Sequence, residues 1–513
     1  MHVGTDSGGP SKAAPGAGWA LALLIGINLF NYIDRQILSA TLPKIQLDAT
    51  IFHPDDEWIP AKLGALTTAF MVAYMCLSPV FGRLGDTMSR WVLIGGAVIF
   101  WSLATGGTGL AAGYLVLFLT RCLVGVGEAA YGPVAPAMLS DLYPVDHRGR
   151  VMAWFYVAIP VGSALGFVIG SQVAETSLGW RGAFYLALVP GLVLGALCFV
   201  MKEPARTAAP GPAAHGPSYW DVLKELRLNK SFVLCCAGMT ASTFVLGGVA
   251  SVMQLYVFDR EARFTLDDAA IVRIEKLTTS DGRRVVPEPI TEKLKAVSGS
   301  RVMTLAEFKA HLRGTLTEDE QKYNSWVYDS SPADGSLTNG KIGLFLGATV
   351  VVGGLVATLL GGTTGDYFRN RGVKGAYFRV SGWGMIIAFP FFFAMLYAPF
   401  PLAWGFLFVA VFGLFFNTGP ANTIVANVTR SPIRATAFAI NILVIHALGD
   451  AISPLILGVV AKLSDWHTAF VGVSFLIPLS GALWLWGARH LDEDTAKAEA
   501  AVTAPEPPAA PAT

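Results

Sequence analysis

Apolar runs of about 20 residues recur along this chain between short polar connections, and a helix of that length can cross a ~30 Å hydrocarbon layer. Twelve runs fall approximately at 18–42, 63–84, 90–110, 113–140, 149–174, 181–202, 231–257, 341–364, 375–398, 401–428, 434–461 and 466–488. They predict an all-α membrane protein. Two polar stretches interrupt the series. Residues 203–230 are rich in Pro, Ala and Gly, then carry an amphipathic segment, Tyr219-Trp220-Asp221-Val222-Leu223-Lys224-Glu225-Leu226, suited to lying along a membrane surface. Residues 259–338 mix both signs of charge, with a Ser280-Asp281-Gly282 turn signal for a hairpin and a Thr304-x-x-Glu307 capping box. A small folded subdomain is expected there.

The pattern is also duplicated. Gly82-Arg83-Leu84-Gly85-Asp86-Thr87-Met88-Ser89-Arg90 lies between two apolar runs, and a variant, Gly361-Gly362-Thr363-Thr364-Gly365-Asp366-Tyr367-Phe368-Arg369, lies between two others. Arg148, Trp180, Ala183 and Phe184 recur at one constant offset as Arg434, Trp466, Ala469 and Phe470. The twelve transmembrane helices are therefore expected in two pseudo-symmetric six-helix bundles, the internal symmetry by which transporters open alternately to two sides. The expected organisation is a cytoplasmic segment 1–17, a bundle 18–202, a linker 203–230, a second bundle 231–490 containing the outer insertion 259–338, and a disordered tail 491–513.

Charged residues make up only 14% of the chain and hydrophobic ones 53%, against roughly 25% charged in soluble domains. That excludes a soluble enzyme, and a net charge of +1 gives no argument for nucleic-acid binding. Placement of charge says more. With the N-terminus in the cytoplasm, Arg83, Arg90, Arg148, Arg150, Lys202, Arg206, Lys224, Arg227, Lys230, Arg369, Arg371, Lys374, Arg379, Arg430 and Arg434 fall on the inner side, whereas the short outer loops hold Lys44, Lys62, Arg181 and Lys462. Both termini are thus expected inside. The five cysteines, inside apolar runs without metal-like spacing, read as packing residues. No ATP-binding Gly-x-x-x-x-Gly-Lys-Ser/Thr string, removable signal peptide, metal set or cofactor motif is expected. The Ala, Gly and Pro bias and an insertion without a usable glycosylation sequon point to a bacterial inner membrane, and a monomer is expected.

The inner-loop signature has a physical rationale as a latch. Gly82 allows close helix approach, Asp86 can accept from N–H groups of another helix start, and Arg90 gives that acid a charge partner. Asp366 is the counterpart in the second copy, with Arg148 and Arg434 the repeated basic positions.

Charges inside spans are functional candidates because burying them is costly. The first span carries Asn28, Asn31, Tyr32 and Arg35 at helical spacing with Asp34 beside them, and the fourth carries Arg121 and Glu128 on nearly one face. At 1.5 Å per residue, Asp34 and Arg35 lie about 24 Å from the inner start of their helix and Arg121 about 12 Å from the outer start of its own. Contacts from Asp34 to Arg121 or from Arg35 to Glu128 are feasible. Asp34 and Glu128 are the expected proton-coupling groups, since a carboxyl that alternates between a protonated and an ion-paired form couples proton movement to conformation. Arg35 and Arg121, with Asn31 and Tyr32, suit an anionic headgroup. The second half offers Thr243, Asn417 and Asn422 as softer substrate-binding groups, and His446 with Asp450, four apart, as a possible second proton site or a local hydrogen bond.

The loop signature, the twelve spans and the duplication resemble the major facilitator superfamily over almost all of residues 18–490, although Ser89 stands where that family usually has Gly. Asn31-Tyr32-Ile33-Asp34-Arg35, Arg121 with Gly125-Val126-Gly127-Glu128-Ala129, and Gly449-Asp450 with Ser453-Pro454 resemble its Spinster branch. The resemblance implies a carrier of lysophospholipids or sphingosine phosphate, with protons as partners and Asp34, Arg35, Arg121 and Glu128 in the cavity. Related branches carry organic anions and sugar acids on similar charges, which leaves that class open. A membrane-embedded lipid enzyme built on His446-Ala447-Leu448-Gly449-Asp450, or a non-transporting sensor, are readings from other classes.

Overall fold

The computed structural model describes residues 14–53, 56–143, 145–203, 219–278, 284–430 and 433–503. Among them are twelve helices able to span a membrane: Ala17–Ile45, Ile59–Gly85, Arg90–Gly109, Tyr114–Leu139, Trp154–Val173, Gly179–Cys198, Lys230–Glu261, Asn339–Asn370, Ala376–Tyr397, Leu402–Asn427, Thr436–Leu463 and Trp466–Gly487. They are the first to twelfth spans below, and inner and outer name the two ends expected from the charge asymmetry. In hydrocarbon every backbone donor and acceptor must pair within the segment, so apolar sequence of this length forms helix. Prolines such as Pro79, Pro133, Pro160 and Pro190 remain inside helices. Two spans carry π-helical stretches, Thr349–Gly353 and His446–Asp450.

Two compact units are present. One holds the first six spans, the insertion and the outer segments of the seventh, eighth, eleventh and twelfth spans, Gly248–Val351 and Ser453–Ala469. In it the first span packs on the fifth, the second on the fourth and the third on the sixth. Small residues set the first of these contacts. A Cβ at Gly162 would lie 2.5 Å from Leu29 O, at Gly166 2.5 Å from Ile33 O and at Gly170 2.8 Å from Ala40 Cβ, a stripe of one glycine per turn that lets the backbones touch. The other unit holds the seventh span up to Gly247, Val352–Ile452 and the chain from Phe470, with the ninth span packed on the tenth and twelfth. The repeated positions behave alike: Trp180, Ala183, Phe184, Trp466, Ala469 and Phe470 are all buried.

The insertion is a small α/β subdomain. Strands β1 (Arg263–Leu266) and β2 (Gly299–Thr304) pair antiparallel, and Phe264, Phe308 and Tyr328 form an aromatic core with centroids 5.1 to 5.7 Å apart. The Thr304–Glu307 capping box is formed. The Ser280-Asp281-Gly282 turn lies outside the described residues, although Thr278 and Arg284 beside it form an antiparallel bridge. The amphipathic segment forms a helix, Tyr219–Leu228, that buries Val222 and Leu226 and exposes Trp220.

The tail departs from expectation. Instead of being disordered from 491, the chain continues as a helix, Leu491–Thr503. Asp492, Glu493 and Asp494 occupy its first turn, where acids complement the helix dipole, and Ala-rich sequence follows. Asp494 also accepts from Ser231 N at 3.0 Å and Asp492 from Gly375 N at 3.3 Å.

Candidate functional site

The in-span charges of the first half converge. Arg35 Nε donates to Glu128 Oε2 at 2.7 Å, with the Glu128 side chain fully buried and that of Arg35 20% exposed. The guanidinium carbon lies 5.0 Å from each of three ring centroids, Tyr32, Phe70 and Tyr74, so aromatic faces take up the charge that the single carboxylate bond leaves uncompensated. Glycines bring the elements this close. A Cβ at Gly125 would lie 2.3 Å from Phe70 O, and one at Gly127 would lie 2.7 Å from Trp101 Cβ. The Gly125-Val126-Gly127-Glu128 string thus draws the second and third spans onto the fourth around Glu128. Tyr131 OH donates to Leu24 O at 2.6 Å and ties the fourth span to the first.

Asp34 and Arg121 are both buried but do not pair directly. Asp34 Oδ2 accepts from Thr105 Oγ1 at 2.5 Å, and Arg121 Nη2 donates to Thr108 Oγ1 at 2.6 Å, with Phe184 under the guanidinium at 5.3 Å. In place of the Asp34–Arg121 contact that depth made feasible stand two threonines one turn apart on the third span. Threonine hydroxyls both donate and accept, so they separate the acid from the base while serving each. Thr105 and Thr108, polar positions inside an apolar run, were the overlooked signal. The cluster is under-satisfied: Asp34 Oδ1, Arg121 Nε, Glu128 Oε1 and Asn31 Nδ2 are buried without a hydrogen-bond partner. Four such atoms lie on these four side chains, whereas buried polar groups are ordinarily paired.

The second-half candidates lie elsewhere. Asn417 is buried and donates to Leu414 O at 2.6 Å, close to Ser242 Oγ and Met385 Sδ. Asn422 is exposed and donates to Thr418 O at 2.8 Å. Thr243 is half-buried against Gly449. His446 Nδ1 sits 2.9 Å from Asp450 Oδ1 across the π-helical stretch.

At the inner end Gly82 packs on Pro133 and Gly85 on Val134. Arg90 pairs with Asp141 of the fourth helix. Glu203 accepts from Arg90 N at 3.0 Å, Trp91 N at 3.3 Å and Ser89 Oγ at 2.7 Å, capping the third span's N-terminus. A carboxylate belongs at that positive end, and this one comes from after the sixth span. Asp366 accepts from Tyr377 OH at 2.7 Å. The side chains of Asp86, Arg148 and Arg434 lie outside the described residues.

The outer ends of the first-half helices are sealed. Gln254 Nε2 and Asn339 Nδ2 both donate to Ala40 O at 2.9 Å, and Gln254 Nε2 lies 2.8 Å from Asn339 Oδ1. Gly343 lies against Ser171 and Phe167 O, and Gly64 against Pro454 O. The insertion adds a Lys44–Asp329 pair, a Gln46–Asp259 bond at 2.6 Å and a His53–Glu318 contact at 2.8 Å. Beneath it Asp48 accepts from Thr50 N, Thr50 Oγ1, Trp180 Nε1 and Arg181. Burial alone would push the Asp48 carboxyl up, but the Arg181 charge and these donors together hold it below the usual carboxylate range.

Comparison with known proteins places this architecture. Residues 24–271 match the Major Facilitator Superfamily. The chain is 41% identical to human protein spinster homolog 1 over 239 residues, which covers 45% of this chain and 44% of the human protein, so that match spans less than half of either. It is 29% identical to the Xenopus tropicalis protein spinster homolog 1 over 501 residues, covering 93% of this chain and 81% of that protein. The fold superposes with a TM-score of 0.68 and 16% identity on a bacterial homologue of the human lysosomal transporter Spinster, solved inward-facing and occupied, covering 94% of this chain and 99% of that one.

Proposed function

This chain belongs to the Spinster branch of the major facilitator superfamily, and from that premise we propose that it is a secondary transporter working by alternating access, coupled to protons and carrying an anionic amphipathic lipid of the lysophospholipid or sphingosine-phosphate type. The observation that carries the reading is the buried Arg35–Glu128 pair beside the orphaned atoms of Asp34, Arg121, Glu128 and Asn31. A proton delivered to Glu128 releases Arg35. An anion bound by Arg35 releases Glu128 to take up a proton. Each event favours the other by the same factor, which is the requirement for coupling.

Arg35 suits a phosphate because a guanidinium presents a fork of donors, and the Tyr32, Phe70 and Tyr74 rings leave apolar surface beside the headgroup. Arg121 and Asp34, bonded to Thr108 and Thr105, supply two further buried charges in the same half. The latch role of Gly82, Asp86, Arg90, Arg148, Asp366 and Arg434, and the roles of Thr243, Asn417, Asn422, His446 and Asp450, belong to the same proposal, as do cytoplasmic termini and a bacterial inner membrane.

The test is uptake into liposomes holding the purified chain, with labelled sphingosine phosphate, a lysophospholipid and a sugar acid, each with and without an imposed pH gradient. Saturable flux of a lipid phosphate that responds to the gradient is expected. Flux of the sugar acid alone would replace the lipid reading with small organic anions.

A further inference from the structure

The inner end of the second unit holds a cavity of about 360 Å³ where the ninth span begins and the twelfth ends. Lys374, Arg379 and Arg489 line it together with Trp383, Leu485 and Asp492. The three cations are exposed, and among the described residues none of them has an ion pair. The one acid is already engaged, Asp492 accepting the Gly375 N–H at 3.3 Å. The walls are fixed. Gly375 has φ +62°, and a Cβ there would lie 2.3 Å from Ala488 O, so the loop backbone rests directly on the end of the twelfth span.

Trp383 forms the apolar side of the cavity. It is 56% exposed on the ninth span, two turns inside the helix start at Ala376. An indole at that depth belongs at the boundary between acyl chains and headgroups, with its apolar face in lipid and its N–H toward water. Cations above and an aromatic face below match an ionised headgroup phosphate joined to acyl chains. Basic pockets between helices at the cytoplasmic surface have this form.

We propose that this cavity binds the phosphate headgroup of an anionic phospholipid from the inner leaflet, Arg379 and Arg489 forking onto the phosphate oxygens, Lys374 supplying a third charge and Trp383 packing along the glycerol and first methylenes. The site is separate from the Arg35–Glu128 cluster and does not depend on what the chain transports.

The experiment places the full chain in phosphatidylcholine nanodiscs with increasing brominated phosphatidylglycerol and reads tryptophan quenching as the difference between wild type and Trp383→Phe. A cation near the membrane surface is worth about 1 kcal/mol, so Arg379→Gln and Arg489→Gln are each expected to weaken apparent affinity about fivefold and the double variant about 25-fold. Arg379→Lys, which keeps the charge, is expected to retain most of it. Brominated phosphatidylcholine quenching Trp383 as well as phosphatidylglycerol does, or a double variant indistinguishable from wild type, would overturn the proposal. Displacement of the lipid by millimolar inorganic phosphate would overturn it in favour of a free-anion site. The variants' retention of wild-type size-exclusion behaviour separates loss of the site from loss of the fold.

Discussion

Gly343→Ala perturbs the sealed outer end at a single atom. The new Cβ would lie 2.0 Å from Ser171 Oγ, 2.5 Å from Ser171 Cβ and 2.7 Å from Phe167 O. The hydroxyl can rotate away but Ser171 Cβ and the carbonyl cannot, and ordinary contact begins at 3.4 Å, so the eighth and fifth spans must separate by about 0.9 Å. Overpacking of this size costs about 1–3 kcal/mol. Separation also strains the bonds from Gln254 and Asn339 to Ala40 O, which rely on the same approach. If the cost falls on the closed form alone, about 2 kcal/mol shifts the balance between closed and open outer ends roughly 30-fold. Spin labels at Ser177 and Ser300, one beside the sixth span and one in the insertion, report that balance in a cysteine-free background. Wild type is expected to give one narrow distance distribution, and Gly343→Ala a second, longer component. A variant with the wild-type distribution and wild-type thermal stability would refute the claim that this contact holds the outer end shut.

Three further outcomes follow from particular contacts. Arg35→Met leaves Glu128 buried without its cation, which costs about 3–5 kcal/mol; it should therefore lower Tm more than Arg35→Met/Glu128→Gln does, and equal losses would show that the pair is not coupled. Because the Asp48 carboxyl is held low in the fold, its stabilisation is complete above the unfolded value of about 3.9 and is lost as pH falls through the lower folded value; Asp48→Asn should flatten that acid limb of the unfolding profile, and an unchanged limb would contradict the assignment. Arg90→Gln and Asp141→Asn should show a coupling of about 1–3 kcal/mol in a double-mutant cycle on unfolding, and strict additivity would remove the ion pair from the account.

Much of this was legible in the residues because membrane helices obey a length rule and charges inside them have few places to go. The twelve spans follow from run length and the capping box of the insertion from its Thr304-x-x-Glu307 motif, while axial depth allowed the Arg35–Glu128 pair as one of two contacts. Partner choice within the cluster did not, because it depends on helix rotation. Depth places Asp34 and Arg121 at similar levels, but the third span turns Thr105 and Thr108 between them. Arg90 pairs with Asp141 of the fourth helix and Glu203 caps the third span's N-terminus, partners brought in from outside the loop that its spacing alone did not indicate. The helix at Leu491–Thr503 was hidden by composition: Ala and Glu read as a disordered tail until Asp492 and Asp494 find their backbone donors at Gly375 and Ser231.

The central claim is that Glu128 couples proton binding to an anion held by Arg35. Its most direct test compares wild type and Glu128→Gln in liposomes for two activities: accumulation of a labelled lysophospholipid driven by a pH gradient, and exchange of the same lipid with no gradient. Glu128→Gln is expected to lose the first and keep the second, because an amide leaves Arg35 free for the anion but carries no titrating proton. Gradient-driven accumulation by Glu128→Gln at the wild-type level would contradict it.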